Sequence, residues 1–182
     1  MLRTGSIPRN PGLVVRAESP KDQAAISRVH EMAFGRPAEG RVVEALRVSP
    51  HFIPALSLVA VDGAQVVGHI LLSRIRIKGE GAEHPALSLA PMAVVPAQQR
   101  HGIGSLLVRI GLRRAAELGH RLVIVLGHVD YYPRFGFSPA STLGITPPFF
   151  APDAAFMACV LVPGGAVGIS GVVQFPPEFS TS

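Results

Sequence analysis

The passage from residue 87 to residue 126 constrains this chain most, because four unlike segments follow one another there without a gap. Residues 87–95 are apolar on both faces and carry Pro91, which predicts a buried strand with a bulge or bend that stops at Pro96. Residues 104–118 return apolar side chains at helical spacing, while Ser105, Arg109, Arg113 and Glu117 follow at four-residue steps along a polar face, and Gly119 closes the helix. Residues 122–126 are a five-residue aliphatic run, too short for a buried helix and suited to a central parallel strand. Strand, helix and strand in this order make a right-handed crossover, and hence a sheet that is at least partly parallel.

The flanking sequence is read by the same rules. Residues 13–16 form a short β-branched strand, and Ser19, Pro20 and Asp22 suit the start of a helix in which Ala25, Ile26, Val29, Met32 and Ala33 recur at helical spacing up to Gly35. A second, shorter helix is predicted over 41–48, where Pro50 forbids extension. Residues 55–61 and 65–77 flank Asp62-Gly63, a dipeptide that turns a hairpin, so these runs pair antiparallel. After Gly127, residues 130–137 form a compact aromatic turn with Asp130 as its cap. The last strands are predicted over 155–162 and 169–175, with residues 142–152, which hold Pro147-Pro148 and Phe149-Phe150, as a loop beginning as a strand.

A chain of 182 residues with 48% apolar and 16% charged residues has the composition of one compact domain. The expected organisation is a flexible tail over 1–11, one domain over 12–179 and a short tail over 180–182. The first residues lack the apolar core of a signal peptide, and no apolar run reaches the ~18–20 residues needed to cross a bilayer, so a soluble protein with no membrane partner is expected. Cys159 is the only cysteine, which excludes an intramolecular disulfide and a cysteine-rich metal site and suits a reducing cytoplasm. The net charge of +5 is carried almost wholly by arginine, since Lys21 and Lys78 are the only lysines. These arginines stand singly, with no basic run interleaved with aromatics, which disfavours a nucleic-acid partner.

The connection inside the crossover carries the chemistry. It reads Gln99-Arg100-His101-Gly102-Ile103-Gly104-Ser105, at the entrance to a helix whose first amides have no intrahelical partner and favour an anion on the axis. Gly102 and Gly104 let phosphate oxygens approach the backbone, and Arg100 adds a positive charge. Two glycines serve a plain tight turn equally well. A dinucleotide fingerprint would need glycine where Leu107 stands, and a nucleoside-triphosphate loop would need a Gly-Lys-Ser/Thr ending that is absent.

The wider pattern is more specific. Val94-Val95-Pro96 followed by Gln99, Gly102, Ile103, Gly104 and Leu107 resembles the acetyl-coenzyme A signature of the GCN5-related N-acetyltransferases. Leu126-Gly127-His128 and Tyr131-Tyr132-Pro133-Arg134-Phe135-Gly136-Phe137 resemble the YhbS-like bacterial branch of that superfamily. The resemblance implies an α/β single-domain fold: a mixed, mostly antiparallel sheet of six to seven strands, flanked by about four helices and splayed between strands 4 and 5. It implies acetyl-coenzyme A as cosubstrate, and the scattered histidines, without metal-ligand spacing, imply no metal. The acceptor would be an amine on a protein, peptide or small molecule, and a homodimer through the terminal strands is compatible.

The resemblance also distributes roles. Backbone groups of Met92, Ala93 and Val94 would bind the pantetheine arm, and Gln99, Arg100, His101, Gly102, Ile103, Gly104 and Ser105 the diphosphate. Tyr132, four residues before Gly136, would be the general acid at the departing sulfur. An acceptor ammonium with pKa near 10.4 must lose a proton at a cost of about 4.6 kcal/mol at pH 7, so a base is needed. Ser88, Leu89 and Ala90 supply none of the carboxylates many family members carry there. His128 takes that place among the candidates, ahead of Glu44 and His69. His30, His51, His84, His101 and His120 lie far apart in sequence and read as ordinary polar residues. The asparagine many members carry after the fifth strand is also missing, where Gly127 and His128 stand. Two rival readings are a sensor that binds acyl-coenzyme A without catalysis and a nucleic-acid-binding protein.

Overall fold

The computed structural model describes residues 10–180, so the tails expected over 1–11 and 180–182 fall mostly outside the described residues. The elements run β1 (Leu13–Ala17), α1 (Gln23–Phe34), α2 (Ala38–Arg47), β2 (Ser57–Asp62), β3 (Gln65–Lys78), β4 (Glu83–Val94), α3 (Ile103–Glu117) and β5 (Leu122–Leu126). The chain then continues through β6 (Ser138–Pro139), β7 (Ile145–Thr146), β8 (Phe156–Val160) and β9 (Gly171–Gln174). One mixed sheet holds all nine strands in the order β1-β2-β3-β4-β5-β8-β6, with β9 on the far end of β3 and β7 on β9. Pairing is antiparallel except for β4 with β5 and β7 with β9. Two of the nine strands, β6 and β7, are only two residues long, which is why alternation in the sequence announced fewer.

Among the described residues there are three α-helices rather than about four. The aromatic segment forms a 3-10 turn, Tyr132–Phe135, preceded by Tyr131 and not capped by Asp130 as expected. The first helix begins with a separate turn, Pro20–Asp22, where the Asp22 carboxylate accepts from the backbone N–H and the hydroxyl of Ser19 at 2.8 and 2.9 Å. Gly35 ends α1 at φ 69°, a conformation that costs glycine nothing.

Strand alternation sends Leu58, Ala60, Ile70 and Leu72 to one face of the sheet, where Leu107 and Val108 of α3 close the main core. Val59 and Leu71 point to the other face and meet Ile26, Val43 and Leu46 of α1 and α2. Each such buried side chain contributes about 1.5–3 kcal/mol by leaving water. At Gly68 a Cβ would stand 3.1 Å from Leu107 Cδ1 and 3.3 Å from Ile103 Cγ2, so the lack of a side chain lets the start of α3 lie close on β3.

Two irregularities in β4 place the site. Ile70 faces Met92 while Leu72 faces Leu89, so β4 holds one extra residue at Ala90 and Pro91, the bulge that Pro91 predicted. On its other edge β4 pairs with β5 only at Leu87 with Val123 and Ser88 with Ile124. Beyond those pairs the strands part, leaving a gap walled by residues 89–94 on one side and 125–126 on the other.

Candidate active site

A cavity of about 940 Å³ opens over this gap, and its walls include Met92, Ala93, Val94, Gly104, His128 and Tyr132. Gln99, Arg100, Gly102 and Ser105 also line it, so most of the residues expected at a phosphate loop share the cavity with the tyrosine expected at the reaction centre. His101, which is exposed, and Ile103, which is buried, do not line it.

The phosphate end is made of backbone. Arg100 stands at φ 64° and Gly102 at φ 84°, turning the chain so that α3 starts at Ile103. The first intrahelical bond runs from the Leu106 N–H to the Gly102 carbonyl at 3.0 Å, so the amides of Ile103, Gly104 and Ser105 precede that ladder. With the partial positive charge of a helix start, and with Arg100 lining the same cavity, they suit a diphosphate. Gly104 also leaves room for a neighbour: a Cβ there would lie 3.1 Å from the Tyr131 hydroxyl, which itself lies 3.2 Å from Ser105 Oγ. The side chain of Gln99 is used inside the protein, donating to the Val94 carbonyl at 3.0 Å, where it ties the loop to the end of β4.

The gap offers a strand edge. The Val95 N–H donates to the Val67 carbonyl at 2.9 Å, and antiparallel alternation then turns the N–H of Val94 away from β3 and toward the gap. An elongated group with amides of its own finds there the partners that β5 does not supply.

Tyr132 is 7% exposed, and burial, with Tyr131 beside it, pushes its phenol up to about 12. Its ring packs on Gly127 so closely that a Cβ at that position would overlap the ring edge at Cε2 and Cδ2. Just after β5, glycine at position 127 is thus the residue that leaves room for Tyr132. Tyr131 stacks edge-on against Tyr132 and Phe135 with ring centroids 5.1 Å apart in each case, and Arg134 lies 5.3 Å over the Tyr131 ring. His128 is exposed at the rim, where its carbonyl accepts from the N–H groups of Tyr131 and Tyr132 at 3.1 and 3.3 Å.

The other candidate bases lie elsewhere. Glu44 accepts from the Ser27 hydroxyl at 2.7 Å and is absent from the lining, while His69 is wholly buried. Sequence spacing hid the reason: His69 meets His30, Ser57 and Glu18 in one buried chain of hydrogen bonds. Burial alone would raise the Glu18 carboxyl, but hydrogen bonds from His69, Arg47 and Ser57 hold it down at about 2. The carboxylate accepts from the Ser57 hydroxyl at 2.8 Å, so Ser57 Oγ accepts from His69 Nε2–H at 2.9 Å. His69 Nδ1 must then accept from His30 Nε2–H, also at 2.9 Å, which leaves His30 Nδ1 as a buried lone pair without a partner among the described residues. Far from being an ordinary polar residue, His30 is wholly buried, and burial followed by repulsion from His69 lowers it to about 3.

Cys159, the lone thiol, lies in β8 with its Sγ 3.7 Å from the Phe135 carbonyl, and burial pushes its pKa up. Among the described residues no group of three or more acidic, histidine or cysteine side chains is placed to hold a metal, and no helix is long and apolar enough to cross a membrane.

Comparison with known proteins agrees with this geometry. A family model described as an acetyltransferase (GNAT) domain matches residues 14–140. The uncharacterized N-acetyltransferase YjhQ of Escherichia coli is 40% identical over 133 residues, covering 72% of this chain and 74% of that protein. YhbS of the same organism, also named an uncharacterized N-acetyltransferase, is 29% identical over 169 residues, 92% of this chain and 99% of its own. Among solved structures, YhbS from Escherichia coli in complex with CoA superposes with a TM-score of 0.86 at 27% identity, covering 98% of this chain and 96% of that one. A GNAT family acetyltransferase from Brucella melitensis in complex with acetyl-CoA gives 0.75 at 34% identity over 92% and 97%. The loop, the parted strands and these relatives together make the chain a member of the GCN5-related N-acetyltransferase family.

Proposed function

We propose that this protein moves an acetyl group from acetyl-coenzyme A to an amine by direct attack, with Tyr132 at the leaving sulfur. The observation that carries the reading is that a helix start with free amides, an unpaired strand edge and a buried phenol share one cavity. The coenzyme A and acetyl-CoA held by the two structural relatives support the same occupant. In this reading the amides from Gly102 to Ser105 bind the diphosphate with Arg100, and Gln99 fixes the loop through Val94. The edge formed by Met92, Ala93 and Val94 binds the pantetheine arm. A reducing cytoplasm suits the single buried thiol.

The lone pair of a neutral amine forms the new bond to the thioester carbon, and the carbonyl pair moves onto oxygen, where the Val94 amide steadies it. Collapse breaks the carbon–sulfur bond. A phenol is a weaker acid than a thiol, so handing a proton to a finished thiolate runs uphill by about 1.5 units at ordinary pKa values. Burial of Tyr132, which takes its phenol to about 12, steepens that slope. Tyr132 therefore acts by donating a hydrogen bond to sulfur as charge develops, and yields its proton only as the nitrogen, cationic after attack, returns one. The net change is one proton from nitrogen to sulfur. His128, at the rim, receives the proton an incoming ammonium must lose.

A Tyr132→Phe protein is expected to keep its affinity for coenzyme A by calorimetry and to lose about 10²-fold in turnover. Unchanged turnover would remove Tyr132 from the mechanism. One observation favours a second reading: no carboxylate lines the cavity among the described residues, as suits a sensor of acyl-coenzyme A. A sensor would bind coenzyme A yet release no thiol from acetyl-coenzyme A with any amine.

A further inference from the structure

A second cleft, of about 860 Å³, meets the main cavity at the parted strands. Ala90 of β4 and Leu126 of β5 line both spaces, and Ser88 and Ile124, the last residues to pair before the gap, form the base of the second. Its outer wall is aromatic. Phe149 stacks on Phe175 with centroids 5.9 Å apart, and Phe175 meets Phe179 edge-on at 5.5 Å. Phe149 is nevertheless 46% exposed and Leu126 51% exposed, so apolar surface stands open beside the reaction centre.

The charged side chains that line the two spaces have one sign. No Asp or Glu lines either space among the described residues, whereas Arg100 and Arg134 line the main cavity. A polyamine, an aminoglycoside or a lysine in a basic segment would bring further cations with no counter-charge to meet them. An amine carrying one nitrogen on an apolar body meets no such penalty. Apolar surface beside the nitrogen also disfavours the ammonium form, which lowers the amine pKa and eases the proton loss that no cavity carboxylate assists.

We infer that the acceptor is a monoamine with an aromatic or branched aliphatic body, held in the Phe149, Phe175 and Phe179 cleft with its nitrogen directed through the gap between Ala90 and Leu126. This assignment rests on the acetyltransferase reading and adds the class of acceptor to it. The bond made is nitrogen to acetyl carbon, the bond broken is carbon to sulfur, and the proton leaving the neutral amine ends on the coenzyme thiol.

The experiment measures thiol release from acetyl-coenzyme A with 2-phenylethylamine, isoamylamine, spermidine and a lysine-rich peptide, and repeats it on Phe149→Asp and Phe149→Ala. The apolar monoamines are expected to exceed the polycations in kcat/KM by at least about tenfold, and Phe149→Asp to erase most of that margin through KM for the amine. Coenzyme A affinity by calorimetry reports that the variants are folded. Preference for spermidine or the peptide, or a margin insensitive to Phe149→Asp, overturns the inference while leaving the acetyltransferase reading intact. A preference for octanoyl- over acetyl-coenzyme A that Phe149→Asp abolishes, with the order of amines unmoved, assigns the cleft to the acyl chain and overturns it too. Absence of turnover with every amine counts against the acetyltransferase reading. Calorimetry with 2-phenylethylamine on the coenzyme A complex then decides the cleft, since no heat overturns the inference and heat lost in Phe149→Asp supports it.

Discussion

At the scale of single residues, the site is shaped by side chains that are missing. Gly104 leaves room for the Tyr131 hydroxyl, and the Tyr132 ring, 5.1 Å from that of Tyr131, depends on the missing side chain at Gly127. The dependence is sharper at Gly127, because the atoms in the way belong to a ring that is itself buried and backed by Phe137 at 5.5 Å. Gly127→Ala should displace Tyr132 and lower turnover by up to about 10²-fold, as a misplacement of about 1 Å does, while coenzyme A still binds. Thiol-release kinetics beside calorimetry would show it. Equal losses of turnover and of coenzyme A affinity would instead mean that the cavity as a whole had moved.

At the scale of elements, β2, β3, α1 and the segment after β1 are joined by the polar chain from Glu18 through Ser57 and His69 to His30. Arg47 of α2 adds hydrogen bonds of 2.6 and 3.2 Å to Glu18. Both histidines are held neutral, so in acid the unfolded chain takes up protons that the folded one refuses. Stability therefore falls as pH drops below the ordinary histidine value of 6.5 toward about 3 for His30. By pH 4.5 His30 alone withdraws about 2–3 kcal/mol, and His69 acts in the same direction. Glu18, whose folded pKa is depressed, keeps its contribution above the ordinary 4.5 and loses it as the pH falls toward about 2. Melting temperatures measured from pH 7 to pH 4.5 should decline, and His30→Gln should flatten the decline even where it lowers the starting value. None of this was legible along the chain, because His30 and His69 stand 39 residues apart and only the packing of α1 on β3 joins them. The loop from Gln99 to Ser105 was legible, since its glycines, the following helix period and the preceding strand are local. Phe149 and Phe150 fell in a stretch read as loop. Its aromatic rings acquire meaning only when β9 brings Phe175 beside Phe149.

At the scale of the whole molecule, two bodies of sheet meet at a narrow seam. β1 to β4 make one, β5, β8 and β6 the other, and the direct ladder between them is two residue pairs long. The hairpin and the crossover could be read from the sequence, but the length of that ladder could not, because residues 89–94 are apolar enough to have paired throughout. The seam gives the sheet an edge in its own middle, where the backbone of β4 from Leu89 onward has no neighbouring strand on one side. Amide hydrogens on such an edge exchange with solvent readily unless something else accepts from them. Coenzyme A, lying along the edge, would serve as a removable strand. Hydrogen–deuterium exchange should accordingly show residues 89–94 among the fastest in any strand of the ligand-free protein and strongly slowed with coenzyme A, while the β2–β3 ladder changes little. Slow exchange there without ligand would mean that the gap closes in solution. The opening over the parted strands is, in the ligand-free protein, also an unpaired strand edge of the kind another chain can pair with.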